Sequence, residues 1–233
     1  MMLRSIIKFL FVVLASSSTL WAATTGVPET FGDGGAPVQN GWSVGNSGSV
    51  VADAGEDGVG DNALEYGTTS GFHLLHPAFG AGAPNPVFLG DYLAAGVTGI
   101  RFKARHTGIG VPVSLRATGF SDFNLGVDWA MSAAPLVLSP NDTSWQTYEL
   151  SLLPGDLLTG GPNGLSASDV LSDVFQIGLR HDPTGSGPQN PSPVATLTQV
   201  YFDDIVLVPE PSTTPLLVIA GLFCLSWRRR LHR

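Results

Sequence analysis

Two consecutive acids, Asp203 and Asp204, interrupt the apolar stretch QVYFDDIVLV. A carboxylate buried unpaired in such a segment costs several kcal/mol, so one of the two must reach a metal, a cation or water. A second acidic group, DAGEDGVGDN (53–62), gathers the oxygen ligands that hard cations prefer. It lacks EF-hand spacing, because the twelfth position counted from Asp53 is Leu64 rather than Glu. A solvated turn and a calcium loop of another kind both stay open for it. The basic residues follow a different rule. Arg101, Lys103, Arg105, Arg116 and Arg180 all occupy polar positions of alternating segments. If those segments share a sheet, they form a basic stripe suited to anionic sugars, with Trp129 or Trp145 as stacking platforms. The alternative is cross-strand pairing with Asp128 and Glu149, together with protection of sheet edges.

Other chemistries are excluded or unsupported. The single cysteine, Cys224, lies near the C-terminus, which leaves residues 24–208 without a disulfide, a thiol nucleophile or a Cys-ligated zinc site. His73 and His76 sit three residues apart, on opposite faces if the segment is a strand, and no HExxH pattern joins them. Neither G-x-S-x-G nor a P-loop occurs. Residues 24–208 carry five cations against eighteen acids, a net charge of −13. Such a domain repels nucleic acid and anionic lipid, so no nucleic-acid partner is expected.

The elements that must position these residues read as strands. Ile100–Arg105 alternates apolar and basic residues, as a half-buried strand requires. VPVSLRA places Val111, Val113, Leu115 and Ala117 on one face; WQTYELSL turns Tyr148, Leu150 and Leu152 inward; VFQIGLR does so with Phe175, Ile177 and Leu179. Weaker strands are expected around 48–52, 62–67 and 124–129. A short helical turn capped by Ser166 or Ser168 is expected within 154–172, and HDPTGSGPQNPSPVA (181–195) reads as a loop. With 29 glycines and 17 prolines punctuating short alternating runs, the expectation is all-β: one sandwich spanning 24–208.

Both ends of the sequence read as targeting segments. Arg4 and Lys8 precede an apolar run from Phe9 to Leu14 and then small residues, the layout of a signal peptide over 1–23. At the other end, Leu216–Trp227 makes about 18 Å of helix against about 30 Å of hydrocarbon. Counted from about 213 to 227 it is a short transmembrane helix, and Arg228, Arg229 and Arg230 form a cytoplasmic stop.

Two resemblances add to this reading. VPEPSTTPLLVIAGLFCLSWRRR closely resembles the PEP-CTERM sorting signal, found on many exported Gram-negative proteins, and covers 209–233. It implies that an exosortase, a membrane-embedded transpeptidase, recognises Pro209, Glu210 and Pro211 and removes the tail. Prolines on both sides of Glu210 favour an extended, non-helical segment. The resemblance also implies an inner-membrane-anchored precursor with a periplasmic domain, delivered afterwards to the cell surface or extracellular matrix. More loosely, ETFGDGG, GDNALEYGTT, IRFKARHTG, SWQTYELSL and VYFDDIVL resemble, in their order, jelly rolls of carbohydrate-binding-module-like and galactose-binding-like type. That resemblance implies a structural Ca2+ held by Asp203 or Asp204, with Glu29 or Asp33 as partners. Where the family usually has Glu directly after the aromatic, Gly32 follows Phe31 here.

The expectation is therefore a non-catalytic, exosortase-sorted jelly roll that binds polysaccharide. The other classes weighed are a surface or periplasmic enzyme acting on polysaccharide and an inert component of the matrix.

Overall fold

The computed structural model describes residues 23–35, 38–42, 48–67, 73–76, 85–108, 110–121, 127–185, 187 and 199–211. The expected signal helix, the span 213–227 and Arg228–Arg230 lie outside them. Among the described residues the chain is nearly all β. The strands are β1 (Gly48–Val51), β2 (Ala63–Gly67), β3 (His73–His76), β4 (Val97–His106), β5 (Val113–Ser121) and β6 (Asp128–Ser132). They continue with β7 (Leu136–Leu138), β8 (Gln146–Ser151), β9 (Leu157–Gly160), β10 (Val174–His181) and β11 (Gln199–Pro209). One sheet runs β1-β2-β11-β4-β8; the other runs β3-β10-β5-β6-β9, with β7 also paired to β5. All pairings are antiparallel.

Alternation explains the packing of the two layers. Leu64, Ile100, Phe102, Phe202 and Leu207 point inward from the first sheet and meet Leu74, Leu115, Ala117, Ile177 and Leu179 of the second, all fully buried. Trp42, His76 and Phe88 close one part of this core, with ring centroids 5.1–5.3 Å apart. Burial pushes the His76 imidazole down to about 4, and its Nε2 accepts the Asn85 N–H at 2.9 Å. This histidine is a neutral core residue. The short helix α1 (Ala167–Leu171) starts at Ser166, whose Oγ accepts the Asp169 N–H while the Asp169 carboxylate accepts the Ser166 N–H.

Several local expectations need correction. Val111 precedes β5 and is exposed rather than inward. An irregularity between Val174 and Gln176 gives the buried position to Val174 and leaves Phe175 half-buried. The third weak strand lies at Asp128–Ser132, later than expected. β7 and β9 were not anticipated, because segments of three or four residues are too short for alternation to register.

Candidate functional site

β4 turns Arg101, Lys103 and Arg105 to the outer face of the five-stranded sheet, and each meets a different environment. Arg105 lies between two aromatic rings, its guanidinium carbon 5.2 Å from the Trp145 centroid and 4.6 Å from that of Tyr201. It also donates to the Ala54 carbonyl at 3.3 Å. Lys103 bridges Glu56 at 2.5 Å and Asp204 at 2.8 Å, and these carboxylates hold its ammonium above the usual lysine range. Arg101 is exposed and has no ion pair among the described residues, although Glu149 is its cross-strand neighbour. It borders an open cleft of about 290 Å³ with Pro28, Lys103, Thr147 and Asp204.

The acids of β11 reach this face through a bulge. Two residues of β11, Asp204 and Ile205, stand opposite Phe102, and Asp204 takes φ 48°, a left-handed conformation that Asp tolerates better than most residues. The bulge sends Asp204 to Lys103 and leaves Asp203 buried, where its carboxylate accepts the Asp204 N–H at 2.7 Å. Burial pushes the Asp203 carboxyl up to about 8, and neighbouring Asp61, Asp204 and Asp33 reinforce the rise. Burial and the same acidic neighbours also raise Asp33. Glu29 is engaged elsewhere: it accepts from the Phe31 N–H and from the side chains of Asn40 and Asn85. Among the described residues no three His, Cys, Asp or Glu side chains stand close enough to hold a metal ion. Of the four nominated cation ligands, then, Asp33 and Asp203 approach one another in company with Asp61. Asp61 was not singled out by number, but it lies in the 53–62 loop, whose density of acids left a calcium loop open from the sequence.

The basic stripe is divided by the topology. Arg116 and Arg180 belong to β5 and β10 of the other sheet, where they are direct cross-strand partners and are buried. Arg116 donates to the carbonyls of Asp182 and Ser132, both at 2.7 Å, and to that of Ala133. The Asp182 carboxylate collects the N–H groups of Thr184, Gly185 and Gly187, and lies 3.9 Å from Arg180 Nε. Arg116 therefore clamps backbone segments, and Arg180 faces the Asp182 carboxylate. Trp129 faces outward from the same sheet, half-buried against the backbone of Gly160 and Gly187. A Cβ on Gly160 would stand 2.4 Å from the indole, and one on Gly187 would stand 2.5 Å from it. Gly160→Ala is thus expected to cost about 1–3 kcal/mol by overpacking, measurable in urea denaturation. Asp128 takes the N–H groups of Asn163 and Gly164 rather than a cation.

A second cleft, about 420 Å³, contains Glu149 and Asp156. Both are exposed, and Asp156 accepts the Ser151 hydroxyl at 2.6 Å.

The described part of the sorting segment runs to residue 211. Pro209 ends β11 opposite Val97, and Pro209, Glu210 and Pro211 are exposed. Residues 207–230 match the PEP-CTERM protein-sorting motif. The chain carries this sorting motif. The motif implies export, a membrane-held precursor and an exosortase as processing partner. Among the described residues no helix is long and apolar enough to cross a membrane. The sandwich itself is similar to solved structures, three of which follow. One is the family 11 carbohydrate-binding module of cellulase Lic26A-Cel5E from Clostridium thermocellum, at 16% identity, covering 81% of this chain and 96% of that one with a TM-score of 0.47. Another is the CBM22-1 xylan-binding domain of Paenibacillus barcinonensis Xyn10C, at 14% identity, 82% and 99% coverage and a TM-score of 0.41. The third is the family 30 module of Cel9D-Cel44B from Clostridium thermocellum, at 15% identity, 80% and 95% coverage and a TM-score of 0.41. A comparison with curated proteins finds no match.

Proposed function

We propose that the sandwich is a non-catalytic module that binds acidic polysaccharide at the cell surface or in the extracellular matrix, through the outer face of its five-stranded sheet. The observation that carries this reading is Arg101, an exposed guanidinium with no ion pair among the described residues, set at a cleft beside Lys103 and Thr147. A guanidinium offers a planar fork of donors that matches a sugar carboxylate. The Trp145–Arg105–Tyr201 stack on the same sheet supplies flat surface for a pyranose ring. Arg101→Ser is expected to weaken binding to immobilised polygalacturonate about 10-fold or more, the scale of a hydrogen bond to a charged group, with no change in melting temperature. Affinity electrophoresis reads this directly. Binding equal to that of the parent would remove the proposal.

A second reading concerns a structural cation. Asp203 is buried among acids with Lys103 turned to Asp204 instead, and a divalent ion would neutralise that group, provided that the carboxylates of Asp203, Asp33 and Asp61, too far apart as they stand, draw together around it. Oxygen donors of this kind suit Ca2+. Calcium is expected to raise the melting temperature, and a chelator to lower it.

A further inference from the structure

The sorting motif begins inside the folded sheet. Leu207, its first matched residue, is fully buried. On one edge of β11 the N-terminal segment pairs with it through Glu29 N–H to Ile205 O at 2.7 Å and Gly26 N–H to Leu207 O at 2.9 Å. On the other edge β4 stays beside the chain for three residues more. Val208 lies opposite Gly99 and Pro209 opposite Val97; Thr98 Oγ1 is 3.3 Å from the carbonyls of both Val208 and Pro209. The Glu210 N–H donates to Gly96 O at 2.7 Å. Since proline has no N–H, Glu210 carries the only backbone donor of Pro209-Glu210-Pro211, and the domain's own sheet occupies it.

We propose that the sheet gates the sorting motif. Val208–Glu210 must peel from β4, hinging after the buried Leu207, before a processing enzyme can hold Pro209–Pro211 as an extended strand, and Thr98 is the latch on that release. An enzyme that grips an extended peptide uses its backbone groups as well as its side chains, and here those groups are already engaged. Release is local, because among the described residues the three are held from the β4 side, and the core contact ends at Leu207.

The test follows precursor-to-mature conversion of the full chain by pulse-chase, in a host that processes the parent. Thr98→Val keeps the shape and removes the hydroxyl; conversion should be about 2- to 10-fold faster, the effect of losing one ordinary hydrogen bond. A Gly-Ser-Gly-Ser insertion between Val208 and Pro209 moves the intact motif off the sheet and should be faster still. Amide exchange provides a readout free of the enzyme: the Glu210 N–H should be protected in the parent and less so in Thr98→Val. Conversion of the insertion variant at the parental rate, or an unprotected Glu210 amide in the parent, would overturn the proposal. Should Thr98→Val fail to fold, which its melting curve reveals, the insertion variant still decides.

Discussion

With chelator present, Asp203→Asn is expected to melt several degrees above the parent at pH 8 and at about the same temperature at pH 4. The sign follows from linkage. An acid whose folded pKa is raised contributes its full stability below the unfolded value of about 3.9 and loses it as pH climbs towards the folded value. For Asp203 that window extends to about 8. Asparagine holds the neutral state at every pH, and its carbonyl oxygen can still accept the Asp204 N–H. The difference between variant and parent, followed from pH 4 to 8, isolates this residue from the many other acids. Calcium should close the gap by stabilising the parent and should leave the variant nearly unmoved. A difference that stays flat across the range would show that Asp203 ionises normally. A calcium response equal in both proteins would remove Asp203 from any cation site.

The second large effect concerns Arg116, which the alternation groups with Arg101 and the fold separates from it. Arg116→Ala removes a buried guanidinium that satisfies the carbonyls of Asp182, Ser132 and Ala133. Two buried acceptors and one part-buried acceptor would lose their donor, and Asp182 would lose part of its positive surroundings. The expected loss is about 3–5 kcal/mol, the range for breaking a buried charged network. At roughly 2–4 °C per kcal/mol for a domain of this size, the melting point should fall by on the order of 10 °C. Arg116→Lys should recover little, because a single ammonium cannot span carbonyls from separate segments. Arg101→Ser provides the contrast, with its effect on ligand and none on stability. A mild Arg116→Ala phenotype accompanied by lost polysaccharide binding would reverse the two assignments.

Why the strands were legible and their partners were not has a physical reason. A strand of six or more residues whose side chains alternate between apolar and polar declares itself through its period of two, as β4, β5, β8 and β10 do. A serine cap was readable too, as Ser166 or Ser168, since such bonds close within three residues; the structure places it at Ser166. The period does not state which sheet a strand joins. Arg101 and Arg116 share one pattern, and only the orders β1-β2-β11-β4-β8 and β3-β10-β5-β6-β9 put the first in water and bury the second. The same holds for Trp129, a stacking platform by sequence and a packed side chain by structure, because the close backbone of Gly160 and Gly187 is a tertiary feature.

The sequence by itself determined the sorting motif, the all-β class and the tension at Asp203-Asp204. Each is encoded locally, as linear order, as alternation or as two charges in an apolar run. Tertiary structure alone decided how that tension resolves, since the bulge hands Asp204 to Lys103 and sets Asp203 against Asp33 and Asp61 from distant loops. It also placed the start of the sorting motif within a sheet. Whether a linear signal is free or hydrogen-bonded depends on which strand lies beside it, and Gly96 and Thr98 stand more than a hundred residues earlier in the chain.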